Sequence, residues 1–280
     1  MASPRALTPI SDQQLRRLHP YLDEVADRVE QPDYIETDPI RFLYDYRDRE
    51  DRLLAGFFAA LLAWGRRDIV IRKVDDLLRR MDYRPSDYIR KFSDADADRL
   101  TGFKHRTFKP EDIYWLITLL QQLLYRFGDF ESFWDHCYQL SLRLNRELIS
   151  VFHEQFLRQH PQVPQRLTKH VADSEKNSSC KRLYLYLRWT IRSNSHVDTG
   201  LMNFMSPARL MIPLDTHVAR YARVLGLLTR RQNDWKAVCE VTERLRELNP
   251  PDPSRYDYSL FGIGVRGYEI PPEFVINYPE

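Results

Sequence analysis

Apolar residues recur at helical spacing along almost the whole of this chain of 280 residues. Stripes with steps of three and four residues begin near residues 53, 69, 113, 144 and 235, and each stripe indicates a helix with one buried face. No stretch shows the clear alternation of a half-buried strand, and the closest run, 183–187, also fits a helix. The pattern therefore predicts an all-α protein of about a dozen helices.

Glycine is scarce, with nine residues in 280. A doubly wound nucleotide-binding sheet or a many-turned sandwich needs more glycine for its turns, so the low count supports the helical prediction. Proline marks probable helix starts at Pro85 and Pro110, and Gly128 marks a helix end.

Length and composition fit one globular domain. With 43% hydrophobic and 29% charged residues, the chain is neither wholly disordered nor a membrane bundle. The polar segment 160–179 is the best candidate for a subdomain boundary, and the chain beyond 265 is rich in proline. We expect a single all-α domain over residues 1–265 and an irregular tail over 266–280.

Cysteine usage indicates a reducing compartment. Cys137, Cys180 and Cys239 form no CxxC pair, so neither a disulfide framework nor a cysteine-bound cluster is expected. The longest apolar stretch, 57–64, is too short to cross a bilayer. Histidines with no second ligand at metal spacing make a metal site improbable. We expect a cytoplasmic monomer without membrane contact, metal or cofactor.

Charge is unevenly distributed, although the formal net charge is only +2. Residues 1–60 contain eight basic and twelve acidic residues, a net of −4. Residues 176–231 contain ten basic and two acidic residues, a net of +8. A segment with such an excess of basic residues favours the binding of a polyanion, most commonly nucleic acid. The alternative is a basic face balanced by acidic neighbours in the fold, and charge alone does not decide between them.

The first candidate for chemistry is Lys181, in a run that reads Asn-Ser-Ser-Cys-Lys-Arg. Ser178 or Ser179 fits the N-cap of a helix, which places Lys181 in its first turn. The positive end of the helix dipole and the adjacent Arg182 both favour a neutral amine. Only a neutral amine attacks carbon, so Lys181 is a candidate nucleophile. The alternative is an ordinary exposed lysine.

The second candidate is Asp215, which precedes an apolar helical pattern and follows a buried-looking Met-Ile-Pro-Leu run. This position predicts an N-cap whose carboxylate accepts from the amide of His217 or Val218. The apolar flanks predict a partly buried carboxylate. Facing a lysine, such a group is a candidate general base and cation stabiliser. The alternative is a capping residue with no further role.

Two weaker signals involve aromatic residues. Lys104, His105 and Arg106 lie between two phenylalanines in a loop, a composition that suits phosphate contacts and base stacking. The alternative is a solvated loop with both phenyl rings in the core. Trp64 ends an apolar helix and is either a core residue or a stacking platform.

The Pro-Leu-Asp-Thr-His-Val run at 213–218 resembles a segment of the helix-hairpin-helix DNA glycosylases. In that superfamily the aspartate is catalytic, and bifunctional members carry a nucleophilic lysine at a helix start after a glycine-rich hairpin. Lys181 matches that lysine, 34 positions before Asp215, a spacing similar to that of the archaeal 8-oxoguanine glycosylases. Those enzymes also have a base-pocket aspartate with an aromatic residue four positions later, which Asp257 and Phe261 match.

Most of the chain also resembles a bacterial family of domains of unknown function. The runs 103–108, 180–183, 213–217 and 256–264 are typical of that family. This resemblance implies a placement among the helical proteins but no activity. The resemblance to the glycosylases depends on far fewer residues.

The hairpin departs from the glycosylase pattern. In the superfamily it normally contains two glycines, whose backbone amides approach and bind a DNA phosphate. The corresponding segment 175–179 has none, which puts phosphate binding by this hairpin in question.

The resemblance implies a helix-hairpin-helix glycosylase-like fold of two interlocked helical subdomains. It implies a DNA glycosylase of base-excision repair, with possible AP-lyase activity, that removes an oxidised purine such as 8-oxoguanine from double-stranded DNA. The flipped base would enter a pocket formed by Asp257, Phe261 and Trp64. The expected DNA-binding residues are Lys104, His105, Arg106, Lys176, Arg182 and His217.

Two alternatives remain open at this point. One is a helical nucleic-acid-binding protein that has the glycosylase fold without its chemistry, which the glycine-free hairpin favours. The other is an RNA- or nucleotide-directed enzyme that uses the same pocket.

Overall fold

A computed structural model describes residues 6–278, and the regular structure in that range is entirely helical. These residues form no strand, and their one isolated β-bridge joins His105 and Phe108. The all-α prediction is therefore confirmed. The described range contains twelve α-helices: α1 (Asp12–Val29), α2 (Asp33–Thr37), α3 (Arg49–Leu62), α4 (Arg67–Arg80), α5 (Pro85–Lys91), α6 (Pro110–Phe127), α7 (Phe130–Leu144), α8 (Leu148–Leu157), α9 (Lys181–Ile191), α10 (Thr216–Val224), α11 (Trp235–Leu248) and α12 (Asp257–Arg266).

The helix boundaries follow the proline and glycine signals of the sequence. Pro85 and Pro110 begin α5 and α6, where a missing backbone N–H leaves no hydrogen bond unmade. Gly128 ends α6 at a φ of +86°, a conformation that residues with a Cβ rarely adopt. Within residues 6–278, no helix is long and apolar enough to span a bilayer.

The helices pack as two groups, and α3 lies at the centre of the first. Every residue from Leu53 to Leu62 of α3 is buried, which the all-round apolar sequence of that helix requires. This helix contacts α4, α5, α7 and α9. α6 packs against α5, α7 and α8, which completes a group formed by the middle of the chain.

The second group brings the two ends of the described chain together. α12 packs against both α1 and α10, and α1 also contacts α11. Gly264 allows the close approach of α10, because a Cβ at that position would lie 2.8 Å from the Tyr221 ring. The chain therefore leaves this group after α1 and returns to it after α9.

The segment 160–179 does not separate the two groups. It joins α8 to α9, and both of these helices pack within the middle group. The crossings between groups lie instead before α3 and between α9 and α10. The polar composition of 160–179 reflects a surface connection with two short 3₁₀ turns, Gln165–Lys169 and Ser174–Lys176.

Beyond Gly267 the chain is irregular apart from the 3₁₀ turn Pro272–Phe274. It nevertheless follows the surface of the second group. The amides of Ile276 and Asn277 donate to the Val224 carbonyl at 2.9 and 3.0 Å. Residues 279–280 of the predicted tail, like residues 1–5, lie outside the described residues.

A network of buried charges connects the two groups. Arg192, just after α9, donates to Glu30 at 2.9 Å and to Asp252 at 2.9 Å. It also forms an ion pair with Asp198, which accepts a hydrogen bond from the Tyr258 hydroxyl at 2.8 Å. The acidic partners come from the second group and from the connection between α9 and α10, whereas Arg192 directly follows α9 of the middle group.

Arg188, one turn earlier on α9, extends this network. Its Nε lies 3.4 Å from Asp198, and a terminal nitrogen pairs with Asp257 at the start of α12. Its guanidinium also lies 4.2 Å from the centre of the Tyr258 ring. Two of the ten bases counted in 176–231 are thus core residues, so that segment is not one continuous basic face.

The first prediction concerns Asp198. We expect Asp198→Asn to lower the free energy of unfolding by about 3–5 kcal/mol, because two buried arginines lose the carboxylate that they share. The matched control is Asp68→Asn, which removes an exposed pair with Arg66 and should leave the free energy of unfolding nearly unchanged, because solvent screens that pair. Urea denaturation measures both variants. Equal losses would contradict a structural role for the buried carboxylate.

The second prediction concerns pH. Burial raises the pKa of Asp257 to about 7, although the neighbouring Arg188 guanidinium acts to lower it. An unfolded aspartate titrates near pH ~4, so between about pH 4 and 7 the folded chain holds a proton that the unfolded chain has released. The free energy of unfolding therefore falls as pH rises through this window, by at most about 1.4 kcal/mol per pH unit.

Asp257→Asn removes this titration. The free energy of unfolding of the variant should therefore increase relative to that of the wild type from about pH 4 to 7. Urea denaturation at several pH values measures the difference. A difference that does not change with pH would mean that Asp257 is ionised throughout.

Candidate functional site

The starts of two helices bring Lys181 and Asp215 together. Lys181 is the first residue of α9, and Asp215 caps α10. Lys181 Nζ lies 3.2 Å from Asp215 Oδ2. The lysine side chain is 32% exposed and the aspartate side chain 14% exposed. An amine and a carboxylate from separate motifs are thus in contact where solvent still reaches the lysine.

Asp215 is held in the way that the sequence predicts. Its Oδ1 accepts a hydrogen bond from the Val218 amide at 2.8 Å, which satisfies one of the free amides of the first turn. Pro213 and Leu214 lead into the cap and are buried. The prediction of a partly buried N-cap is confirmed, and the cap leaves Oδ2 free to contact Lys181.

The start of α9 differs from the prediction. The N-cap is Cys180 rather than Ser178 or Ser179, and no side chain caps the helix. Cys180 is buried and has a φ of +51°, in the left-handed region. Its amide donates to Ser178 Oγ at 3.3 Å, so the serine supports the turn without capping the helix. Lys181 is nevertheless in the first turn.

The segment 175–179 before α9, which the resemblance aligns with the glycosylase hairpin and which keeps that name below, makes its turns without glycine. Asn177 has a φ of +61°, a conformation that asparagine tolerates better than most residues. Neighbouring helices fix the segment. Ser150 Oγ accepts from the Glu175 amide at 3.0 Å, and Arg146 donates to both oxygens of the Glu175 carboxylate at 2.8 Å.

A pocket of about 220 Å³ opens beside the Lys181–Asp215 pair. It is smaller than the ~300–1,000 Å³ typical of pockets for drug-sized ligands. Asp257 and Phe261 both line it, which places the two residues of the base-pocket prediction beside the candidate nucleophile. Asp257 is buried, with the raised pKa described above.

A larger groove of about 1180 Å³ adjoins the pocket. Lys181, Asp215 and His217 line both cavities, so the pair lies where they meet. The hairpin forms part of the groove wall and contributes Lys176, which is exposed and lies 3.5 Å from Asp173. Lys176 and His217 are therefore placed where a ligand in the groove would contact them.

Trp64 lies in the groove and is absent from the lining of the pocket. It is 48% exposed, so the interpretation as a core residue is wrong. The Arg106 guanidinium lies 5.8 Å from the centre of its ring. The adjacent Gly65 has a φ of +111°, and a Cβ there would collide with the Arg106 side chain. Glycine thus allows Arg106 to pack beside Trp64.

The loop around residues 104–106 is only partly available for binding. His105 is buried and its Nε2 lies 2.9 Å from the Leu62 carbonyl, while burial lowers its pKa. The prediction that His105 contacts nucleic acid is therefore wrong. Lys104 and Arg106 are exposed, although neither lines the groove itself. The flanking phenylalanines are fully buried.

Arg182 lines the groove, but its guanidinium is occupied within the protein. It donates to the Leu61 carbonyl at 2.7 Å and to the Lys169 carbonyl at 3.5 Å. Burial lowers its pKa to about 10. Arg182 therefore has a structural role in place of the expected contact with DNA, because its guanidinium connects α9 to the end of α3 by a hydrogen bond. Lys169 is an exposed groove residue that sequence reasoning missed.

Sequence reasoning also missed one wall of the pocket. Tyr34, Asp38 and Arg67 line it, and Trp189 is a further lining residue. Arg67 lies far from Lys181 in the chain and begins α4, so no local spacing connects the two. The only sequence signal is its place directly after Trp-Gly-Arg at the end of an apolar helix.

No group of three His, Cys, Asp or Glu side chains within residues 6–278 could hold a metal ion.

Comparisons with known proteins place the chain in a family. Neither a search of curated proteins nor a search of solved structures found a match. The family model described as "Protein of unknown function (DUF2400)" matches residues 38–266, a range that includes Lys181, Asp215, Asp257 and Phe261. The chain therefore belongs to the DUF2400 family.

Proposed function

We propose that this protein is a helix-hairpin-helix DNA glycosylase with AP-lyase activity that removes an oxidised purine such as 8-oxoguanine. The observation that carries the proposal is the 3.2 Å contact between Lys181 Nζ and Asp215 Oδ2 where the groove meets the pocket. An amine nucleophile with an adjacent carboxylate base is the arrangement that attack on a sugar carbon requires. The pocket supports the flipping of one base out of a duplex in the groove.

In the proposed reaction, Asp215 accepts a proton from the Lys181 ammonium. The neutral amine attacks C1′ of the flipped nucleotide, and the bond from C1′ to the base breaks. The base leaves with the bonding electron pair and takes up a proton. The bond between C1′ and O4′ then opens, O4′ is protonated, and an imine joins Lys181 Nζ to C1′. Loss of a C2′ proton from this imine expels the 3′ phosphate and cleaves the strand.

The third prediction tests this chemistry by borohydride reduction, which converts the imine to a stable covalent bond. The wild type should become cross-linked to a duplex that contains 8-oxoguanine. Lys181→Gln should abolish cross-linking, and Asp215→Asn should slow base release by about 10²- to 10⁴-fold, because the general base is lost. Lys236→Gln, at an exposed lysine outside the groove, should cross-link like the wild type.

Cross-linking that survives in Lys181→Gln would identify a different nucleophile. Absence of both cross-linking and base release in the wild type, on duplexes with 8-oxoguanine and on duplexes with an abasic site, would contradict the proposed activity.

The second candidate function is a helical nucleic-acid-binding protein without catalysis. The observation that favours it is the hairpin, in which side chains occupy both left-handed positions, Asn177 and Cys180, where glycine would let a phosphate approach the backbone. Duplex binding with a steep salt dependence and no base release would select this function.

The fourth prediction concerns the groove. Lys176→Gln should weaken duplex binding uniformly across sequences and reduce the slope of log K against log salt by about 0.9, because one phosphate contact is lost. Fluorescence anisotropy at several salt concentrations measures the slope. Lys236→Gln is again the matched control. An unchanged slope in Lys176→Gln would place the DNA elsewhere on the surface.

A further inference from the structure

We propose that Arg67 recognises the flipped base by donating to the carbonyl oxygen that oxidation adds to a purine. This inference rests on the proposed function and identifies the residue that separates damaged from undamaged bases. Arg67 is the first residue of α4 and lines the pocket beside Lys181.

Three groups hold the Arg67 guanidinium in place. Its Nη2 donates to the Tyr34 hydroxyl at 3.0 Å and lies 3.1 Å from Asp38 Oδ2. The guanidinium carbon lies 4.6 Å from the centre of the Phe261 ring and 5.0 Å from the Tyr34 ring. A guanidinium fixed by a carboxylate and two rings loses little further conformational entropy when a ligand binds.

Two nitrogen atoms of the Arg67 guanidinium, Nε and Nη1, are available to donate to a ligand. Both internal contacts use Nη2, and no hydrogen bond from Nε or Nη1 occurs within residues 6–278. The side chain is 31% exposed, so these donors are not sealed in the core. Both carboxylate oxygens of the nearby Asp38 already have partners, because Oδ2 contacts Arg67 and Oδ1 accepts a hydrogen bond from the Ile40 amide at 3.1 Å. Arg67 is therefore a group in the pocket that can still donate to a ligand.

Asp257 supplies the complementary acceptor. Its Oδ2 pairs with Arg188, while Oδ1 has no hydrogen-bond partner in the described part of the chain. Above about pH 7, where Asp257 is ionised, its carboxylate accepts only, and a guanidinium donates only. Together they match an edge that presents a carbonyl oxygen next to an N–H group.

Oxidation of a purine at C8 creates such an edge, with O8 beside N7–H. An undamaged purine presents a C–H group and the bare acceptor N7, which leaves Arg67 without a partner and sets N7 against the Asp257 carboxylate. A donor that the bound base shields from water without pairing with it, and two facing acceptors, both oppose binding. The pocket is therefore complementary to 8-oxopurines and selects against their parent bases.

The fifth prediction tests this recognition without relying on catalysis. In the Lys181→Gln background and above pH 7, where Asp257 is ionised, equilibrium binding is measured on two duplexes that differ only in guanine or 8-oxoguanine at one position. We expect the 8-oxoguanine duplex to bind about 10- to 100-fold more tightly, and Arg67→Gln to remove that preference while binding of the guanine duplex is retained. Arg72→Gln, an exposed arginine of α4 paired with Asp68, should keep the preference.

A second measurement separates recognition from the integrity of the site. An abasic-site duplex has no base to recognise, so Arg67→Gln with Lys181 intact should be cross-linked by borohydride as efficiently as the wild type. A parallel loss of abasic-site cross-linking would show that Arg67 supports the catalytic pair instead of contacting the base, and would overturn the inference.

The failures of the two proposals are distinguishable. If the wild type cross-links but Arg67→Gln keeps the full preference for 8-oxoguanine, the inference about Arg67 is wrong and the proposed function stands. If the preference depends on Arg67 but the wild type neither releases the base nor cross-links, recognition stands and the proposed catalysis is wrong. Equal binding of both duplexes in the Lys181→Gln background overturns the inference directly.

Discussion

The arrangement of the two helix groups depends on the buried pairing of Arg188 and Arg192 with Asp198. Charges removed from water are tolerated only when they are paired, so these arginines require carboxylates from the first and last parts of the described chain. The network thereby attaches α9 to the second group. Because Lys181 begins α9 and Asp257 belongs to the same network, the interaction that joins the groups also positions the proposed nucleophile and one pocket wall.

The site is formed by backbone geometry as much as by side chains. α9 and α10 both begin at the junction of groove and pocket, so the positive ends of two helix dipoles meet there. This contribution attracts an anionic ligand even though several bases of the segment 176–231 are occupied inside the fold, as Arg182 and Arg188 are. The electrostatic potential of the cleft therefore depends on where each charge is buried and on which helix ends face it, and a count of basic residues contains neither.

Local signals were sufficient to predict the residues that helix starts control. The capping position of Asp215 and the first-turn position of Lys181 follow from short-range rules, and both are observed. Exposure was predicted less well, because it depends on which face of a loop packs against the core. His105 and Trp64 illustrate this, since the expected ligand contact His105 is buried, and Trp64, expected in the base pocket, is exposed in the groove instead. Arg67 could not be predicted, because only the packing of both α4 and α9 against α3 brings it to the pocket.

The absence of glycine from the segment 175–179 weakens the proposed binding of a DNA phosphate but does not affect the proposed chemistry of Lys181 and Asp215. Two left-handed residues, Asn177 and Cys180, make the turn, and burial of the cysteine side chain offsets part of the cost of its conformation. Side chains at these positions hinder close approach of a phosphate to the backbone, so affinity must come more from the exposed lysines of the groove, Lys169 and Lys176. The contact of Lys181 with Asp215 needs no such approach, because both residues are placed by the helices that they begin. The geometry of the Lys181–Asp215 pair is therefore independent of how the segment 175–179 contacts a phosphate, and weak binding of the DNA backbone by this segment would not contradict the proposed chemistry.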